Sequence, residues 1–201
     1  MVKVIQANLS GGEVSDAIAA RVDIDKYKTS VYKAENFFVQ VHGGLTNRPG
    51  LEYIAPAKTP STAVRLIPFE FNTTQTYILE FGNLYMRVYK DGGQVLTGSA
   101  KTITAATKAN PVVVTSNSHG FSNGDDVYIS GVVGMTELNG RFLRAASVTT
   151  NTFALTDYAG ANINSTAYTT YGSAGTAEEV FEIATPYTAA DIFELQYVQS
   201  A

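Results

Sequence analysis

The stretch Thr76-Tyr77-Ile78-Leu79-Glu80-Phe81-Gly82-Asn83-Leu84-Tyr85-Met86-Arg87-Val88-Tyr89 decides the fold class. Two runs rich in apolar and aromatic residues flank Gly82-Asn83, a pair suited to a two-residue hairpin turn. In the second run Leu84, Met86 and Val88 alternate with Tyr85, Arg87 and Tyr89. A period of two turns one set toward a core and leaves the other partly wet. Upstream, Val64 to Phe71 reads as another strand, with Pro68 marking an edge or a bulge. Downstream, Lys90-Asp91-Gly92-Gly93-Gln94 turns into a strand at Val95-Leu96.

Composition agrees with a β reading. The chain has 201 residues, and only 16% are charged, against about 25% in an average protein. Ser, Thr, Asn, Tyr and Gly fill the gap and favour strands and turns over helices. Lys plus Arg number 14 and Asp plus Glu number 18, so the net charge is 14 − 18 = −4. That balance argues against a basic surface for duplex DNA. There is no cysteine, which excludes a disulfide framework, a thiol nucleophile and a thiolate metal site. No apolar run is long enough for a membrane-spanning helix, and the first residues lack the apolar stretch of a signal peptide.

The organisation has a seam. Residues 1–63 read as an irregular N-terminal arm with short helices and strands. Ser15 or Asp16 caps a helix through Arg21, and Asp25 another through Lys33. Asn36 to Val41 and Glu52 to Ile54 read as strands. From Thr102 to Thr176 charge thins out, and short strands at Pro111–Thr115, Asp126–Ser130, Arg141–Val148 and Thr152–Thr156 are spaced like those of a small barrel. Asn162 to Gly175 reads as a long loop. Glu178 to Ile183 restores charge and alternation. The expected fold is therefore mainly β: a discontinuous host domain, 64–101 and 177–201, carrying an inserted small barrel at 102–176. Insertion into an exposed loop costs little closure entropy. Thr188-Ala189-Ala190-Asp191 has a capping pattern ahead of a short helix at Asp191–Glu194. Leu195 to Val198 reads as a strand whose partner does not follow, an open edge such as a piece of a longer chain would leave.

The residues that carry chemistry do not assemble into a motif. His42 and His119 lie in turn contexts, with no nucleophile or orienting acid in a recognisable pattern. The calcium-loop spacing from Asp23 fails at Lys28 and Ala34. Asn123-Gly124-Asp125-Asp126 reads as a turn ahead of a strand. The glycine pairs lack a phosphate-loop Lys-Ser/Thr. A hydrolase needs two carboxylates at a set spacing, and nothing selects a pair among Asp125, Asp126, Glu137, Asp157, Glu178 and Glu179. The expectation is no enzyme, no metal and no cofactor. Tyr77, Tyr85 and Tyr89 read as strand packing. Tyr158, Tyr168 and Tyr171, in a loop-rich region, are candidate ligand contacts, because tyrosine gives large contact area at low entropy cost.

Two stretches resemble known families. Gly11-Gly12, Arg21 and Asp23, Tyr27, Asn36-Phe37, Gly43-Gly44 and Arg48-Pro49-Gly50, followed by Tyr77 to Phe81, resemble the N-terminal region of tail nozzle (tail tubular protein B) proteins of short-tailed bacteriophages. Physically, the glycines and Pro49-Gly50 pin turns, and Arg21, Asp23 and Arg48 are suited to fixed ion pairs. His119-Gly120-Phe121, Gly124-Asp125, Val127 to Gly131, Gly134-Met135, Leu138 to Phe142 and Asn151 to Leu155 are similar to the small barrel module of many phage virion proteins. That module is similar in fold to the first catalytic-cysteine half-domain of ubiquitin-activating enzymes, without the chemistry. The resemblance implies a structural virion protein, a nozzle, tube or hub component made in the host bacterial cytoplasm. It would self-assemble into a ring-like homo-oligomer, contact other tail proteins, insert in no membrane, and let DNA pass without specific binding. The alternative is a carbohydrate- or receptor-binding module that uses the barrel.

Overall fold

The computed structural model describes residues 6, 8–18, 21–72 and 74–199. The chain divides into two compact units, 1–53 and 54–201. Among the described residues the regular structure is mainly β, interrupted by short 3-10 turns.

The first unit contains two small sheets. Strands β1 (Gly12–Glu13) and β2 (Ser30–Val31) pair in parallel, and β3 (Phe37–Val39) and β4 (Leu45–Asn47) form an antiparallel hairpin. The helices expected here are 3-10 turns at Asp16–Ile18 and Asp25–Thr29. The first expected helix also covers residues 19–20, outside the described residues. The second stops early because Ser30, in extended conformation and buried, turns its backbone to β1. The strand at Asn36–Val41 is shorter than expected, since Gln40 N–H bonds to the Gly44 carbonyl to close the hairpin. Glu52 to Ile54 is not a strand.

The second unit begins at Ile54, so residues 54–63, expected in the arm, belong with the later sheets. Its host sheet contains β5 (Arg65–Asn72), β6 (Gln75–Gly82), β7 (Tyr85–Lys90), β8 (Gly93–Gln94) and β16 (Glu182–Ala184), in the order β16-β7-β6-β5 with β8 also on β7. β5 is an edge strand with a register shift between Glu70 and Asn72, so Pro68 sits on an edge near a bulge. The β6–β7 turn is one residue later than expected: Gly82 pairs with Tyr85, and Asn83-Leu84 form the turn. The Tyr85 ring explains the shift. A Cβ on Gly82 would lie 2.1 Å from that ring, so only glycine fits beneath it.

The barrel sheet contains β9 (Lys101–Thr102), β10 (Ala105–Ala106), β11 (Val113–Thr115), β12 (Asp126–Ser130), β13 (Arg141–Ala146), β14 (Thr152–Thr156) and β15 (Thr176–Glu179). Their order is β10-β11-β14-β13-β12-β15-β9. The two edge strands are nearly consecutive in the chain, so the sheet curls until its edges meet. There Ile103 N–H bonds to Gly175 on one side, and Thr104 N–H to Thr115 on the other. Alternation fills the interior with Val114, Val127, Ile129, Leu143, Ala145, Phe153, Leu155 and Ala177, joined by Ile103, Phe121, Met135 and Leu138 from the connections. The stretch 162–175 is largely irregular but tied down. Ser165 Oγ contacts the Thr107 and Ala109 carbonyls, and the Glu137 carboxylate accepts the Thr169 N–H at 2.8 Å.

Two expectations about the host are corrected. Glu178 to Ile183 is not one host strand. Thr176–Glu179 belongs to the barrel sheet, paired with β12 and β9, while Glu182–Ala184 pairs with β7. The chain changes sheets at Val180, whose N–H bonds to the Asp126 carbonyl and which bridges to Leu96. Leu195–Val198 is not a strand either. The chain instead makes a 3-10 turn at Asp191–Phe193 that buries Ile192; its N-cap is Ala190 with no side-chain cap, and the Asp191 carboxylate accepts the Thr188 N–H and hydroxyl.

Candidate functional site

The densest polar cluster among the described residues joins the two sheets of the second unit. Arg87 on β7 projects from the host sheet toward the barrel, and only 1% of its side chain is exposed. Its Nη2 donates to Asp126 Oδ2 on β12 of the barrel, and its Nε donates to Glu182 Oε2 at 3.0 Å. Arg144 on β13 donates from Nε to Asp126 Oδ1 at 2.9 Å and from Nη2 to the Lys58 carbonyl at 3.0 Å. Lys58 in turn pairs with Glu182. Glu80 lies on the same host face, buried, and accepts the hydroxyls of Tyr85 at 3.0 Å and Tyr89 at 2.6 Å.

The sequence explains why these side chains meet. β7 alternates Tyr85, Arg87 and Tyr89 on one face, and the register sets Glu80 and Glu182 directly beside Arg87. The Tyr85–Arg87 face is thus the better buried one, whereas Met86 and Val88 are half-buried and Leu84 is exposed. Lys58, Arg87 and Arg144 balance Glu80, Asp126 and Glu182, so the cluster is neutral, 3 − 3 = 0. A neutral, hydrogen-bonded cluster is the form in which charges tolerate burial.

Aromatic rings complete the joint. The Tyr158 ring lies 5.1 Å from the Arg144 guanidinium and 5.8 Å from that of Arg87. The Tyr85 ring lies 5.3 Å from Arg87 and 5.2 Å from the Lys58 ammonium. Burial raises the Tyr85, Tyr89 and Tyr158 phenols well above their ordinary range, and the carboxylates of Glu80 (Tyr85, Tyr89) and Asp126 (Tyr158) add to it. For Arg87, burial acts most strongly and against the charge, but Asp126, Tyr158 and Glu182 together outweigh it and push the guanidinium up. Beside the pair, a cavity of about 60 Å³ is lined by Lys58, Arg87, Asp125, Asp126, Glu179 and Glu182, among others. The Glu179 carboxyl is pushed up, first by burial and then by Asp125 and Glu182.

The arrangement fixes one sheet on another and presents no nucleophile–base pair. No group of three or more His, Cys, Asp or Glu among the described residues is placed to hold a metal ion. His119 is buried between Phe121 and Phe153, and its Nδ1 accepts the Phe121 N–H at 3.0 Å. It acts as a turn residue within the barrel.

The candidate ligand tyrosines lie elsewhere than a shared platform. Tyr158 is corrected from ligand contact to joint residue, since it is 8% exposed and its ring packs against two guanidinium groups. Tyr168 packs on the barrel core and its hydroxyl accepts from Arg141 Nη1 at 3.0 Å. The Tyr171 hydroxyl donates within the barrel, with the Ile103 and Ala174 carbonyls both at 2.9 Å.

The glycine-rich motif of the first unit is turn chemistry. Gly11 N–H bonds to Thr29 and Gly12 N–H to Leu9. Gly43 has φ +94°, and a Cβ there would lie 2.3 Å from that of Asn8. Gly44 accepts the Gln40 N–H, and Tyr27 N–H closes a turn on Ile24. Asn36 has positive φ and accepts the Arg48 N–H at 2.8 Å. Arg21 forms a two-point pair with Asp23, at 2.8 and 2.6 Å on the surface, and lowers the Asp23 carboxyl. Arg48 is corrected: it takes part through its backbone, and its side chain makes no ion pair among the described residues. Arg48, Pro49 and Gly50 are all exposed.

Sequence reading missed Lys58, Glu80, Arg87, Arg144 and Glu182 as a unit. The available signal was a charge set within an apolar alternating strand, in a chain poor in charge. No curated protein matches the chain. Residues 109–180 match the family model of the ubiquitin-activating enzyme E1 FCCH domain, a likeness that does not point to catalysis in this cysteine-free chain. The match spans β11 to β15 and ends at Val180, where the chain changes sheets.

Proposed function

We propose that the protein is a structural, self-assembling component of a bacteriophage tail, of the nozzle, tube or hub kind, with no catalytic role. One observation carries this reading: large apolar side chains are left bare in both units. In the first unit these are Val41, Leu51 and Tyr53; in the second they include Leu66, Phe71, Phe193 and Val198. Subunits of assemblies bury such side chains against their neighbours. The motif from Gly11 to Gly50, similar to that of tail nozzle proteins, supports the same reading. The ionic joint suits a part that must hold its shape inside a larger assembly.

The test is direct. Antibody raised against the protein, applied to purified particles of the phage that encodes it, is expected to label the tail in electron micrographs. Particles that carry no label, with the protein recovered only from the soluble lysate, overturn the proposal.

A further inference from the structure

The chain after β16 is held to the host sheet by a few point contacts. Ile192 is fully buried. Arg65 on β5 donates from Nη1 to the carbonyls of Ile192 at 2.9 Å and Leu195 at 2.8 Å. Farther on, the Gln199 side-chain amide lies along the outer edge of β5. Its Oε1 accepts the Glu70 N–H at 3.2 Å, and its Nε2 donates to the Glu70 carbonyl. A primary amide offers the same donor and acceptor as a peptide group, so Gln199 fills the place a neighbouring strand would take. Between these anchors the segment is bare, with Val198 96% exposed.

That edge is unsuited to pairing with β5 of another copy. Pro68, two residues from Glu70 and so on the same outward register, has no N–H to give. An antiparallel pair centred on Glu70 would set two carboxylates opposite each other. The edge fits the segment already seated on it.

We propose that residues 188–199 form an exchangeable arm, and that the seat on β5 accepts this arm from a second copy, linking subunits by swapping. The seat reads an apolar side chain at Ile192, two carbonyls through Arg65 and an amide through Glu70. An identical chain presents all of these at the same spacing. The hinge is the link between Ala184 and Thr188, held to the β6–β7 turn where Thr185 N–H meets the Leu84 carbonyl and Leu84 N–H meets the Tyr187 carbonyl. The arm makes the same contacts in its own chain or in a neighbour, so concentration decides between them. The proposal deepens the self-assembly reading and rests on it.

The absence of cysteine makes the test clean. Glu70→Cys and Val198→Cys are placed on separate full-length chains, mixed at rising concentration, and treated with a short bis-maleimide linker. A covalent heterodimer above the background of chance encounters forms when the arm of one chain lies on β5 of the other. The expected result is a heterodimer yield that rises with concentration. It should exceed several-fold the yield of a Glu70→Cys and Thr150→Cys mixture, and fall to that background when Arg65→Ala is added to the Glu70→Cys chain. A double-cysteine chain that cross-links within itself, while the mixture stays at background, overturns the exchange. Light scattering on the same mixtures separates the two failures. Association without heterodimer rejects the arm and leaves self-assembly standing; a single-subunit mass throughout rejects both.

Discussion

Arg87 and Asp126 show how much one pair of side chains holds here. Each is almost fully buried and paired with the other, with Glu182 also on Arg87 and Arg144 also on Asp126. Removing one partner of such a pair leaves an uncompensated charge and costs about 3–5 kcal/mol. Asp126→Ala is expected to lower the unfolding free energy by that amount, and Arg87→Met with Asp126→Leu to recover part of it, read from urea denaturation curves. Gly82→Ala should destabilise by about 1–3 kcal/mol, because the Tyr85 ring must leave its seat. The phenols add a pH effect. Tyr85, Tyr89 and Tyr158 all ionise at higher pH in the fold than the ordinary value of 10.0. Their contribution to stability is complete below that value. It is lost as pH rises above it, because the unfolded chain releases protons that the fold retains. Urea titrations from pH 8 to 11 should show stability falling from about pH 10, with part of the tyrosinate absorbance appearing only on unfolding. None of this was legible in the sequence, which identifies a charge in a strand but not the charge on another strand that answers it.

Strands were legible where a period of two ran unbroken. Asp126–Ser130 and Thr152–Thr156 have the bounds that alternation predicts. Reading failed where one continuous pattern served two partners. Glu178 to Ile183 is one uninterrupted charged and apolar run, yet β15 and β16 lie in different sheets, because Val180 bonds sideways to Asp126 and Leu96. It failed again at Leu195–Val198, where apolar character had no backbone partner to pair with. The same contrast orders local stability. The interior residues Val127, Ile129, Phe153 and Leu155 are fully buried in a closed sheet, whereas β3 and β4 form an isolated, exposed pair. Amide hydrogen exchange should be slowest on β12 and β14 and fastest on β3 and β4. Equal protection across all four strands would contradict this ordering. The candidate site was the least legible part, since tyrosines chosen for their loop context turned out to be packing residues.

At the scale of the whole second unit, the barrel is joined to the host sheet by two adjacent chain segments and one ionic cluster. Leu96 and Val180 bridge side by side, so residues 98–178 can be replaced by a short Gly/Ser linker without stretching the host. The shortened protein is expected to keep a β circular dichroism spectrum and still unfold cooperatively; an unfolded product would mean that the host needs the barrel to fold. The paired segments also have a mechanical meaning. Tension applied between residues 54 and 199 runs through β5, β6, β7 and β16, and crosses from Leu96 to Val180 without passing around the barrel. The barrel then hangs beside the line of force. A pull along the chain would meet the Arg65 and Gln199 contacts and the β16–β7 pairing before the Leu96–Val180 bridge, and would reach the barrel strands only after that bridge had given way.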